Sequence, residues 1–106
     1  MKSVFYGSEI ISAFSVETYD GSNLGNFTSR QRAFETAAIF TVYEVAKLSG
    51  SCYGMNFEEA MEVCEWNAEA AKAVETLKTE MEVFSNGGDI TDTDWVVIRK
   101  IQIVVG

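Results

Sequence analysis

A chain of 106 residues, 47% hydrophobic and 23% charged, has the apolar share of a globular domain and the length for one core, so neither intrinsic disorder nor a multi-lobed enzyme is expected. Its net charge of -8 and pI of about 4.4 disfavour nucleic acid and anionic membrane as direct partners, because both polyanions reward Lys and Arg. Histidine is absent, which removes the commonest general acid/base, the Ser/His and Cys/His nucleophile pairs and most catalytic zinc sites.

The early lysine is followed by no apolar secretory segment, and no stretch reaches the roughly 18 apolar residues of a membrane span. With only Cys52 and Cys64, the expected setting is the cytoplasm with reduced thiols. The sequon at Asn26, Phe27 and Thr28 has meaning only in a secreted chain and is set aside. Residues 2–19 are β-branched and aromatic, with Ile10, Phe14 and Val16 alternating as in a half-buried strand; Gly7 and Ser8 divide the segment into two strands or bend one. Asp20 and Gly21 mark a turn, and residues 24–27 read as loop or a short returning strand.

Thr28 with Gln31 forms a capping box for a helix expected over 29–48, with Gly50 as its left-handed cap. Phe34, Ala37, Ala38, Thr41, Val45 and Leu48 recur at helical spacing while Ile39, Phe40, Val42 and Tyr43 fill the other faces, so this is the buried central helix. Arg30 and Arg32 in its first turn oppose the helix dipole. They read either as a basic patch for an anionic group or as charge that is solvated or paired with the acidic helix that follows.

Asn56 with Glu59 makes a second capping box, opening a helix that could run over 57–84. That length is about 42 Å at 1.5 Å per residue, against a radius of gyration of roughly 13 Å for a domain of this size. The helix must overhang or break, and Asn67 and residues 76–79 have the lowest helix propensity. One apolar stripe holds Phe57, Ala60, Met61, Cys64, Ala68 and Ala71; a second holds Val63, Trp66, Ala70, Ala73, Leu77, Met81 and Phe84. An arc this wide suits packing against both the first helix and the sheet, or a second subunit. Residues 85–88 end the helix, and 89–94 lead into a strand over 95–105 that is apolar on both faces and therefore central, its neighbours coming from the N-terminal third. The expected fold is a single α+β domain: an antiparallel sheet of three to four strands built from both chain ends, packed against two helices, the second long and acidic.

Most chemistry-bearing patterns fail on spacing. Asp89, Asp92 and Asp94 lack the glycine and glutamate of a calcium loop; Cys52 and Cys64 lack CxxC spacing; the paired glycines are followed by no Lys-Ser/Thr. Carboxylates on one convex helical face do not make a glycosidase cleft. No cofactor, no metal and no enzymatic activity are expected.

One pattern stands out. Glu58, Glu62, Glu65 and Glu69 recur at helical spacing with no basic residue between Lys47 and Lys72, although like charges three or four apart cost a few tenths of a kcal/mol per pair. The bland reading is a solvated face. The sharper one is a row of carboxylates roughly 5 to 6 Å apart, comparable to successive phosphates on a nucleic-acid strand, with Trp66 at its edge as an aromatic anchor unless it tucks into the core. The function expected on that reading is a small acidic inhibitor that masks a basic, nucleic-acid-binding surface of a nuclease or other nucleic-acid-handling protein. Phage anti-defence proteins and toxin immunity proteins belong to the same physical class, by analogy alone. The alternatives are a homo-oligomeric accessory protein, a homodimer through the apolar face of the long helix, and a small-molecule binder or histidine-free enzyme, which needs a concave pocket beside an acidic cluster.

Overall fold

The computed structural model describes residues 9–50, 54–85 and 90–105. In chain order these form β1 (Glu9–Thr18), β2 (Asn23–Phe27), α1 (Arg30–Val45), α2 (Phe57–Trp66), α3 (Ala68–Ser85), β3 (Ile90–Asp92) and β4 (Val96–Val105). The fold is α+β, with an antiparallel sheet in the order β2-β1-β4-β3. The apolar strand at the C-terminal end is indeed interior, running its whole length against β1, Glu9 opposite Val105 and Thr18 opposite Val96. Its other neighbour, β3, went unseen in a segment read as a lead-in loop, because three residues carry no periodicity. The proposed break at Gly7 and Ser8 lies outside the described residues; within them β1 is one strand, and the irregularity falls between Val16 and Glu17 where β2 pairs. There Gly25, at φ +145°, lets the Phe27 ring fold back over it, in space that a Cβ would contest at 2.7 Å.

Among the described residues only half of the β1–β4 ribbon is widened: β2 covers β1 at Phe14 to Glu17 and β3 covers β4 at Val97 to Arg99. The helices pack over that wider half, where Val16, Val96 and Ile98 are fully buried.

α1 is the central helix, as its all-round hydrophobicity predicts: it touches β1, β2, β4, α2 and α3, and buries Ala33, Ala37, Ala38, Thr41 and Val42. Its small residues let neighbours approach on several sides, while the larger Phe34, Val45 and Leu48 lie half-buried at the margin. Both ends differ from expectation. Ser29 is the N-cap, its hydroxyl accepting from the Arg32 N–H at 3.2 Å, and Gln31 bonds Glu35 instead of closing a box with Thr28. At the other end Lys47 takes the left-handed conformation at φ 54°, with Lys47 N–H donating to Glu44 O and Leu48 N–H to Tyr43 O, a Schellman motif that stops the helix before Gly50.

The expectation of two helices with a long second one is corrected: residues 57–85 form two, parted at Asn67. Asn67 leaves helical geometry at φ -126°, ψ 100°, its N–H still closing α2 on Val63 O while its side-chain oxygen accepts from Ala70 N–H at 2.9 Å to open α3. The break turns both apolar faces onto α1 rather than projecting one rod past it. Ala60 and Val63 of α2 and Ala70, Ala73, Val74, Leu77 and Met81 of α3 are all buried within the chain. Arg30 spans from α1 to the end of α3, its guanidinium donating to Met81 O at 3.0 Å and supplying the cation that the last turn of α3 lacks.

Candidate functional site

The capping box at Asn56 forms as read: Asn56 N–H donates to Glu59 Oε1 at 2.9 Å and Glu59 N–H to Asn56 Oδ1 at 2.8 Å. It fixes the start of α2, and with Ala60 and Val63 buried the helix has one rotational setting that turns Glu58, Glu62 and Glu65 outward, all exposed. Among the described residues none of these three forms an ion pair. Two of the three arginines are engaged elsewhere: Arg30 with the end of α3, and Arg99 with Glu17 across β1 and β4 at 3.9 Å.

Trp66 closes α2 and is 68% exposed. The stripe expected to hold it with Val63 and Ala70 is divided: those two are buried, while Trp66, the last residue of α2 before the break at Asn67, lies at the surface. It borders a groove of about 490 Å³ with Glu59 and Glu62 on the rim and Tyr43, Leu48 and Met55 among the apolar lining. Aromatic face, carboxylates and apolar floor therefore meet at one place.

Glu69 stands apart. It opens α3 beyond the break, where its charge favours the helix N-terminus, and it lines a different groove shared with Lys72, Glu80, Asp92 and Asp94. The continuous row of four is thus a triad on α2 plus one residue on the next helix, and the like-charge cost is confined to Glu58 with Glu62 and Glu62 with Glu65.

A second concave region escaped the sequence reading. The β1–β2 turn and the β3–β4 turn lie side by side at the helix-covered end of the sheet, tied by Tyr19 N–H to Trp95 O at 3.0 Å. Each turn is braced internally. Ser22 N–H reaches Thr18 Oγ1 at 3.0 Å; the Thr18 hydroxyl, donating to Asp20, and Ser22 N–H, donating to Asp20 Oδ1 at 3.3 Å, hold the Asp20 carboxyl below its usual range, the Thr18 hydroxyl contributing most. In the other turn the Thr93 hydroxyl accepts from Val96 N–H at 3.2 Å and Trp95 N–H at 3.3 Å. The turns meet α1 around a groove of about 430 Å³. Its signal in the sequence was the clustering of aromatic and acidic residues at two turns distant in the chain, which only the strand order brings together.

Among the described residues no group of three or more His, Cys, Asp or Glu side chains is placed to hold a metal ion. Cys64 is a half-buried thiol packed against the core, its pKa pushed up by burial; Cys52 lies outside the described residues. No helix among the described residues is long and apolar enough to cross a membrane. No protein-family model matches the chain, and neither a search of curated proteins nor one of solved structures returns a match.

Proposed function

We propose that this chain is a cytoplasmic inhibitor that works by binding: the α2 face of Glu58, Glu62 and Glu65, anchored by Trp66 and flanked by Glu69, docks on a basic surface that its partner otherwise offers to nucleic acid. One observation carries the reading. Trp66 is 68% exposed beside glutamates that nothing among the described residues neutralises. Exposing a large indole sacrifices its burial energy, about 2 kcal/mol or more, and holding like charges together adds a few tenths per pair; both costs are recovered when a cationic, partly apolar surface closes over them. Arginine suits this best, because its guanidinium pairs with carboxylates and stacks on tryptophan at once. The carboxylates steer the encounter over distances comparable to the Debye length and the indole then holds the complex, so rim charge sets the on-rate and Trp66 the off-rate.

The helix-mediated homodimer has no such observation in its favour, since Ala60, Val63, Ala70, Ala73, Leu77 and Met81 of the arc it would use are buried within the chain. The test uses the protein as bait in a lysate, with elution by salt, identification of what is released, and competition by duplex DNA. The expected result is a basic nucleic-acid-binding protein that DNA displaces and that the double substitution Glu62→Lys, Glu65→Lys no longer captures. Equal capture by that variant, or capture indifferent to DNA, would rule the reading out.

A further inference from the structure

The groove between the two turns has a lining with one chemical preference. Three aromatic side chains, Tyr19, Phe40 and Trp95, share it with three carboxylates, Asp20, Glu44 and Asp94, and no lysine or arginine is among its lining residues. At about 430 Å³ it falls within the range of small-molecule sites. An anion is repelled by such a lining, and a neutral apolar ligand would have to strip water from the carboxylates.

We propose that this groove binds an alkylated ammonium group. A cation is attracted to the faces of aromatic rings by their quadrupole, with no hydrogen bond required. The carboxylates add attraction from outside the rings. A primary ammonium needs three hydrogen-bond acceptors in place of water, whereas an alkylated one presents apolar carbon around a diffuse charge, which matches a lining that mixes three aromatic rings with three carboxylates.

The site is also prepared before any ligand arrives. The Thr18, Asp20 and Ser22 bonds hold one rim, and the Thr93 bonds and the Tyr19–Trp95 bridge hold the other, so binding orders little backbone. Nothing here depends on the α2 face: the groove shares no residue with the one bordered by Trp66. It supplies the concavity beside acids that the small-molecule reading required.

The chain has two tryptophans, so Trp66→Phe leaves Trp95, in the groove, as the only tryptophan, read selectively by excitation at its red edge. In that background choline is titrated and followed by Trp95 emission and by amide shifts of residues 18–22 and 93–96, against 3,3-dimethylbutan-1-ol, its neutral isostere, and N-acetyl-trimethyllysine amide. Choline is expected to saturate with a millimolar Kd and the isostere to bind at least about tenfold more weakly. Trimethyllysine binding tighter than choline would assign the ammonium to a modified protein side chain, and the reverse to a free metabolite-sized cation; either supports the site. Tyr19→Ala, at a residue 75% exposed and therefore tolerant of truncation, is expected to weaken choline about tenfold, and Glu44→Gln by less. Equal binding of the isostere, absence of saturation by both signals, or unchanged affinity in Tyr19→Ala would overturn the proposal.

Discussion

The α2 face and the hairpin groove carry charge of one sign on different supports, an exposed helix face and a lining shared with three aromatic rings, and the support governs what each can hold. On α2 Glu58, Glu62 and Glu65 are all exposed, and of the three only Glu62 borders the Trp66 groove, so a surface that brings several cations is needed to desolvate them together. In the hairpin groove three carboxylates and three aromatic side chains share one lining, so a single small cation suffices. Negative charge by itself therefore says little about function. The supporting geometry does the discriminating: a helix with Ala60 and Val63 buried and Trp66 left out, against two braced turns that face each other across a fold.

The largest expected effect tests whether the two regions are independent. Reversing Glu62 and Glu65 to lysine is expected to lower partner affinity by about two orders of magnitude, roughly 3 kcal/mol, while choline affinity at the groove moves less than twofold. Because the reversal also relieves like-charge pairs, the urea midpoint should hold or rise slightly; a large fall would mean that α2 depends on those glutamates for folding. Next in size is a test of what keeps the regions apart. Asn67→Ala removes the side-chain acceptor that opens α3, so stability is expected to fall by about 1 kcal/mol in denaturant titration. Smaller again is Thr41→Val in α1, whose buried hydroxyl has no partner among the described residues; removing it is expected to stabilise both regions alike, by up to about 1 kcal/mol. The smallest concerns the groove alone. Asp20 has a lowered pKa, so the stability it contributes is complete above its unfolded value near 3.8 and is lost as pH falls through the still lower folded value. Amide shifts at residues 18–22 should therefore hold to below pH 3.8 and change only in stronger acid.

Much of this was legible in the chain because local patterns agreed with one another. The Asn56–Glu59 box, the apolar run of β4 and the all-round hydrophobicity of α1 each put an element where it is found. The misses share a physical cause. Ser29 and Lys47 terminate α1 where Thr28 and Gly50 looked better by residue type, since competing caps differ by fractions of a kcal/mol and packing decides between them. β3 is too short to show a period and exists because β4 offers it an edge. Asn67 was recognisable as a weak point, but that α2 and α3 part there followed from the need to lay both apolar faces on α1. As for the site, the unpaired acids of α2 could be read directly, whereas the exposure of Trp66 runs against the apolar stripe to which helical spacing assigns it, and the groove depends on bringing Tyr19 beside Trp95 across the sheet.

The most direct measurement of the central claim is the affinity of the identified partner for the parent protein and for Trp66→Ala and Glu62→Lys/Glu65→Lys variants, across a salt series. Uncompensated acids closing on a basic surface predict affinity that falls steeply with salt for the parent, a shallower slope for the charge variant, and faster dissociation at unchanged slope for Trp66→Ala. A salt-independent affinity shared by all three proteins would contradict the account, because binding would then lie elsewhere on the molecule.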